Sequence, residues 1–388
     1  MQLTLQAHTA FGLEAVVARE LKGLGVENII SENGKLTWDT DIRGMIDAHL
    51  WLRCADRITL QIDTFQARDF DDLFDWIKTM RWERWITKTS KFPVNVKLNK
   101  SQINSVPNTQ KIVKKAIVER LSQAYNMTQF PETGAVCAIE CVIDKDQVTL
   151  GLNTCGAGLH KRGYRKLVGE APLRETLAAA LIQLSYWNKD RLLVDPFCGS
   201  GTILIEAAMI ARNQAPGLNR EFAAEAWPWI EKKEWLDARQ SAGSKIEPIT
   251  EKGLIAGYDE DPEAIRLSLY HLQQAGMSDL VHVQQRRFED FSTQKKFGCV
   301  ITNPPYGERL SEVEQVQKLT QIMGRKLREL ETWSIYIISA LEDFETYYGK
   351  PADRRRKLYN GPIPCTYYQY AGPKPPRENQ PAPVVLSE

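Results

Sequence analysis

Apolar and polar positions in this 388-residue chain repeat with two periods. A period of two marks strands with one buried face, and a period of three to four marks helices with one buried stripe. Leu3 to Ala7 alternates as a strand, and Gly12 to Leu24 places Leu13, Val16, Val17 and Leu21 on one helical face. Ile29-Ile30 and Lys35 to Trp38 flank Asn33-Gly34, a preferred pair for a tight hairpin turn. A helix over Ile42 to Trp51 and a strand over Arg57 to Phe65 complete a βαββαβ order. Further on, Asp71 to Thr79 and Thr109 to Tyr125 carry helical patterns. Phe92 to Leu98, Val136 to Ile143 and Gln147 to Leu152 carry strand patterns.

The βαββαβ order over residues 1–66 is ferredoxin-like. In the second half, the apolar run Leu192 to Val194 ends at Asp195-Pro196, passes the turn Cys198-Gly199-Ser200-Gly201 and enters a helix from Thr202 to Ala211. Strand, tight turn and helix open a doubly wound sheet, which binds nucleotide-like ligands where its strands end. The glycines let backbone approach a ligand, and the helix N-terminus favours negative charge. Strands are predicted at Leu254 to Tyr258, Val281 to Gln285, Phe297 to Thr302 and Ser334 to Ala340, with helices from Asp261-Pro262 to Gln274 and from Val313 to Leu330. Arg355 to Tyr359 and Thr366 to Tyr370 make a last hairpin through Asn360-Gly361-Pro362. The fold class is therefore α/β, with a seven-stranded sheet.

Residues 212–252 interrupt this sheet and put Asp259 much farther from Asp195 than the roughly 20 residues of a plain dinucleotide fold. They read as an insertion near the site, with Trp227, Trp229 and Trp235 buried against the domain rather than stacked on bases. The proline-rich tail, 373–388, reads as disordered.

Composition excludes several classes. Residues are 43% hydrophobic with no apolar run near the roughly 20 residues of a membrane span, and the start lacks a secretory pattern. Seven scattered cysteines give neither a disulfide framework nor metal spacing, and Cys137 and Cys141 alternate onto one buried strand face. The expectation is a reduced, cytoplasmic protein with no metal and no membrane association. Oligomeric state is not legible. Net charge is +1, yet cations cluster at 91–120, at 159–174 and at Arg354 to Lys357. Each run alone reads equally as a solvated face; three on a near-neutral chain point to a polyanion track.

A glycine turn also fits dehydrogenases and P-loop proteins, although no Gly-Lys-Ser/Thr follows here. DPFCGSGT (Asp195 to Thr202) taken with NPPYGERL (from Asn303) resembles the S-adenosylmethionine-dependent methyltransferases that modify exocyclic amines of nucleobases. FPVNVKLNKSQINSV with QKIVKKAIVERL resembles THUMP, an RNA-binding module; a generic α/β domain with a basic helix is the alternative. HKRGYR, APLRETLAAAL, YDEDPEAI and LYNGP extend the likeness. Taken whole, the chain is similar to the bacterial RlmL-type rRNA guanine 2-amino methyltransferases, as their amino-terminal methyltransferase half.

That resemblance implies a ferredoxin-like domain (1–66), THUMP (67–155) and a class I methyltransferase domain (156–372). It implies S-adenosylmethionine as cofactor and methyl transfer to the 2-amino group of a guanine in 23S rRNA. DNA adenine 6-amino methylation and tRNA guanine 2-amino methylation stay open as alternatives. Asn303, Pro304, Pro305 and Tyr306 would be the catalytic set, and Asn303 would also touch cofactor. The turn residues Asp195, Pro196, Phe197, Cys198, Gly199, Ser200, Gly201 and Thr202 would hold the cofactor. Asp259 would take its ribose, and Asp290 and Phe291 its adenine. Leu173, Arg174, Glu175 and Thr176 would cover its methionine end, or else merely cap the following helix. The three carboxylates also read as strand-end turn residues. RNA contacts would come from Lys97, Lys100, Lys111, Lys114, Lys115, Lys161, Arg162 and Arg165.

Overall fold

All the period-two stretches of the first half enter one sheet. In the computed structural model, which describes residues 1–166, 173–248, 253–306 and 310–376, these strands are β1 (Leu3–His8), β2 (Ile30–Glu32), β3 (Lys35–Thr40), β4 (Arg57–Gln66), β5 (Val94–Asn99), β6 (Ile139–Asp144) and β7 (Gln147–Asn153). They lie in the order β2-β3-β1-β4-β7-β6-β5. β4 pairs antiparallel with β7 from Thr59↔Asn153 to Gln66↔Gln147, with a register shift between Gln61 and Asp63, so one sheet joins the segments on either side of residue 66. Alternate residues of the sheet, among them Leu5, Leu60, Leu150 and Ile139, are fully or almost fully buried. Four helices pack with it: α1 (Glu14–Gly23), α2 (Ile42–Trp51), α3 (Phe70–Thr79) and α4 (Val106–Tyr125). Asp41 and Asp69 cap α2 and α3 by accepting the Gly44 and Asp72 amides at 2.8 Å, which answers donors a helix start leaves unpaired.

Helix α5 (Glu175–Gln183) leads to β8 (Leu193–Asp195) and α6 (Thr202–Ala211). Residues 212–248 follow, with α7 (Lys232–Ser244), and belong to the first of two compact units, together with 1–166 and 174–180. Their aromatic side chains bury against the first unit. Phe222 and Trp235 set their rings 5.0 and 5.8 Å from that of His49 on α2, and Trp227 donates to the Val136 carbonyl at 3.0 Å. Arg220 bonds the Cys155, Ala157, Gly158 and Lys161 carbonyls, fixing the glycine-rich segment after β7.

The second unit is the doubly wound sheet. Its later elements are β9 (Ile255–Asp259), α8 (Pro262–Ala275), β10 (Val281–Gln285), β11 (Cys299–Thr302), α9 (Leu310–Arg328), β12 (Ser334–Ser339), α10 (Phe344–Tyr348), β13 (Arg354–Asn360) and β14 (Ile363–Tyr370). The order is β10-β9-β8-β11-β12-β14-β13. β8 to β12 pair in parallel, and β14 runs antiparallel to both neighbours. Strand order reverses at β8, between β9 and β11, and ligands of such sheets bind at that crevice. Val194, Val300, Ile335 and Ile337 join Met323, Leu327 and Trp333 in its core. The tail from 377 onward lies outside the described residues, as do 249–252 and Gly307, Glu308 and Arg309 of the second motif.

Gly324 shows how closely α9 meets α10. A Cβ there would lie 2.6 Å from the Tyr348 carbonyl carbon and 2.9 Å from its Cα, both backbone atoms. Alanine normally gains about 1 kcal/mol over glycine inside a helix. Overpacking costs about 1–3 kcal/mol and should win here. Gly324→Ala is therefore expected to lower stability, as a reduced midpoint in urea unfolding at unchanged slope.

Candidate active site

The two sequence motifs meet because β8 and β11 are neighbours in register, Leu193↔Cys299 and Val194↔Val300. One residue further, the Thr302 hydroxyl donates to Asp195 Oδ1 at 2.6 Å, and the Phe197 amide donates to the same oxygen at 3.2 Å. Asp195 is only 1% exposed. Burial pushes its carboxyl up to about 7, helped by the charge of Asp259 and opposed by those two hydrogen bonds. Its described partners are thus protein groups, and the neighbouring cavity wall is made by Pro196, Phe197 and Gly199.

The glycine turn is shaped for a ligand. Gly199 and Gly201 have φ of +51° and +80°, in the region that disfavours other residues. A Cβ on Gly201 would collide with the Ser268 hydroxyl, so this glycine serves close helix packing. A Cβ on Gly199 would meet nothing within 4 Å, because it would project into open space beside the cavity. The Gly199 amide donates to Asp259 Oδ2 at 2.9 Å, and the Asp261 amide to Asp259 Oδ1 at 3.1 Å. These bonds orient the carboxylate at the end of β9 on the cavity wall.

That cavity encloses about 360 Å³ and lies wholly within the second unit. Phe197, Gly199, Asp259 and Glu260 line it together with Asn303, Pro304, Pro305 and Tyr306. The size falls in the range of small-molecule sites. Phe197 and Phe288 stack at 5.1 Å between ring centroids and give it an aromatic wall. Asn303 is half-buried, Pro304 buried and Pro305 exposed. The Tyr306 hydroxyl donates to Asn303 Oδ1 at 2.5 Å, and burial, with the Cys365 thiol beside it, raises its pKa.

Other expected site residues fall elsewhere. Asp290 is exposed and Phe291 packs in the core 5.9 Å from the Tyr258 ring; Phe288 and Glu289 line the cavity in their stead. The cause is a single 3₁₀ turn over Phe288–Asp290, which rotates about a third of a circle per residue and so aims neighbours in different directions. Thr176 and Arg174 reach Asp56, at 2.6 and 3.9 Å, and Glu175 pairs with Arg165 at 3.3 Å, all within the first unit. Leu173 is buried. None of the four lines the described cavity. Asn360 and Ile363, which do, come from the turn of the last hairpin. LYNGP contains the first of them, and Ile363 directly follows it.

Of the expected RNA contacts, Lys97, Lys100, Lys111, Lys115 and Lys161 are exposed. Arg162 is buried and donates to the Leu159 and Arg53 carbonyls, and Arg165 is spent on Glu175. Lys114 is half-buried over the Phe92 ring and pairs with Glu132 at 2.5 Å. Burial of the positive charges in this segment therefore holds the chain's own carbonyls. Among the described residues no group of His, Cys, Asp and Glu is placed to hold a metal ion, and no helix is long and apolar enough to cross a membrane.

Comparison with known proteins agrees with this geometry. Residues 162–369 match the RMKL-like methyltransferase domain, more than half of the chain. The chain belongs to that family. Residues 4–59 match the RlmL ferredoxin-like domain and 67–153 the THUMP domain. YpsC of Bacillus subtilis (strain 168) is 45% identical over 95% of both chains. Ribosomal RNA large subunit methyltransferase K/L of Syntrophotalea carbinolica is 32% identical over 91% of this chain, which spans 51% of that protein. The crystal structure of SMU.472 complexed with SAH has a TM-score of 0.91 and 39% identity, covering 97% of this chain and 99% of the other.

The buried Asp195 carries a pH dependence. Its folded-state pKa lies above that of an unfolded aspartate, so the native protein holds an extra proton between about pH 4 and about 7. Its stabilising contribution is complete below pH about 4 and is lost as pH rises through about 7. Without added ligand, Asp195→Asn is expected to unfold at higher urea than the parent at pH 8, with the gap closing toward pH 5.

Proposed function

We propose that this protein is an S-adenosylmethionine-dependent RNA methyltransferase acting on the 2-amino group of a guanine in 23S rRNA. One observation supports the reading above others: Gly199 and Asp259 line the same cavity as Asn303 and Pro304. Membership of the RMKL-like methyltransferase family, the SAH bound by SMU.472 and the ribosomal RNA substrate in the name of the K/L relatives favour it.

The residues present fit such a cofactor. The open space over Gly199 admits a ligand against backbone, Asp259 offers a carboxylate for ribose hydroxyls, and Phe197 and Phe288 offer apolar faces for an adenine. When bound, S-adenosylmethionine supplies an electrophilic methyl group. Guanine's exocyclic nitrogen is a weak nucleophile because its lone pair is conjugated with the ring. Asn303 Oδ1 and the Pro304 carbonyl, accepting its two N–H groups, would draw the lone pair out of conjugation and aim it. Tyr306 must first release Asn303 Oδ1, and its hydroxyl then has Asn360 as a neighbouring partner. Its ring is left to stack on the base. A base paired in a helix has to be flipped out to reach this depth. Positioning and electrostatics carry the rate on this scheme.

The test is transfer of tritiated methyl to RNA from a strain lacking the protein, followed by nucleoside mass spectrometry. The expected product is 2-methylguanosine. Asn303→Ala should lower kcat by about 10²–10³, the usual loss for one preorganised polar group, while cofactor affinity changes little. Label in 6-methyladenosine of DNA would refute the assignment.

A further inference from the structure

The cation run Arg354-Arg355-Arg356-Lys357 is the sequence cluster that neither the cavity nor the first unit absorbs. It forms most of β13, the last strand of the second unit's sheet, so one edge of it has no strand partner among the described residues. A charged edge strand is also a usual protection against unwanted pairing. Two further facts give this one a direction. The strand ends at Asn360, which lines the cavity beside Tyr306, and it turns back through Gly361-Pro362 to Ile363, another lining residue. Gly361 has φ +62°, as two-residue hairpin turns of this sort require.

Side chains alternate along β13. Arg354 and Arg356 share a face with buried Leu358 and with Asn360, while Arg355, Lys357 and Tyr359 face the other way. Arg355 is held by Glu345 at 2.7 Å. Arg354 and Lys357 remain exposed. At about 3.3 Å per residue, Arg356 stands roughly 13 Å and Arg354 roughly 20 Å from Asn360. The cavity lining also carries three carboxylates, Asp259, Glu260 and Glu289, with Arg287 near the latter two at 3.8 and 3.6 Å. A polyanion is repelled by carboxylates and attracted to the exposed cations of the hairpin.

Resting on the RNA reading above, we infer that the β13 edge, through Arg354 and Lys357, holds the single-stranded RNA backbone that flanks the nucleotide in the cavity. The hairpin joins the two jobs. Its edge grips phosphates, and its turn places Asn360 against Tyr306.

The experiment compares the full chain with Arg354→Gln/Lys357→Gln, measuring binding of a short labelled single-stranded RNA against salt and steady-state methylation of RNA. Each lost phosphate contact on a single strand removes about 0.7 from the slope of log K against log salt, so the double variant should be shallower by roughly 1.4. KM for RNA should rise several-fold, with kcat and KM for S-adenosylmethionine unchanged. If the double variant fails to fold, Lys357→Gln alone should give half the slope change. An unaltered slope and KM in a variant that still methylates RNA would overturn this surface and leave the methylation reading standing. Tighter retention of duplex DNA than of RNA by the same edge would also overturn it. A parent protein that binds no RNA at any salt would remove both.

Discussion

The hydrogen bond from Thr302 to Asp195 is the constraint on which the site depends. It joins the last residues of β11 and β8, from which the Asn303–Tyr306 loop and the glycine turn depart in sequence. Parallel pairing alone would align the strands yet leave each loop free to diverge. The 2.6 Å bond, shielded by burial, ties them at the point of departure. A buried carboxyl accepts this role only at an electrostatic cost, which is visible in its raised affinity for a proton.

Around that tie the wall residues divide labour by type. Glycine is required twice for different reasons: at 201 so that α6 can approach Ser268, at 199 so that the cavity stays open. Asp259 is oriented by two backbone amides rather than by a cation, so it stays an acceptor turned to the cavity. The Asn303 oxygen is already satisfied by Tyr306. An unpaired buried acceptor is costly, and the tyrosine hydroxyl relieves it until another donor arrives. A donor reaching this oxygen would therefore exchange one hydrogen bond for another rather than add one.

Much of this was legible in the sequence because strand ends and tight turns have strong local signatures. DPFCGSGT and NPPY both follow apolar strands, and the helix start at Asp261-Pro262 is a cap followed by the one position where proline fits. Three features were not legible. The 3₁₀ turn at Phe288–Asp290 shifts the lining from Asp290-Phe291 to Phe288-Glu289, and nothing local separates such a turn from a continuing loop. Arg162 and Arg165 read as cations for phosphate, but their burial depends on Arg53, Leu159 and Glu175. The tryptophans of 212–248 were expected to be buried, yet which surface buries them is a question of long-range packing, answered by His49 on α2.

Buried arginines in the first unit suggest a general reason for that last kind of error. Arg162 and Arg220 spend their guanidinium groups on backbone carbonyls of the glycine-containing segment after β7, and Arg162 also on that of Arg53. A planar fork with five donors satisfies several such carbonyls at once, which lysine cannot do. These two arginines therefore serve the loops whose carbonyls they hold. Lysines on strands and helix faces, such as Lys97 and Lys111, keep their charge in water. Charge runs are better weighed by residue type and by neighbouring glycine than by net count. By that criterion the edge of β13 differs from residues 159–165: it lies in a regular ladder with β14, and Arg354 and Lys357 are exposed.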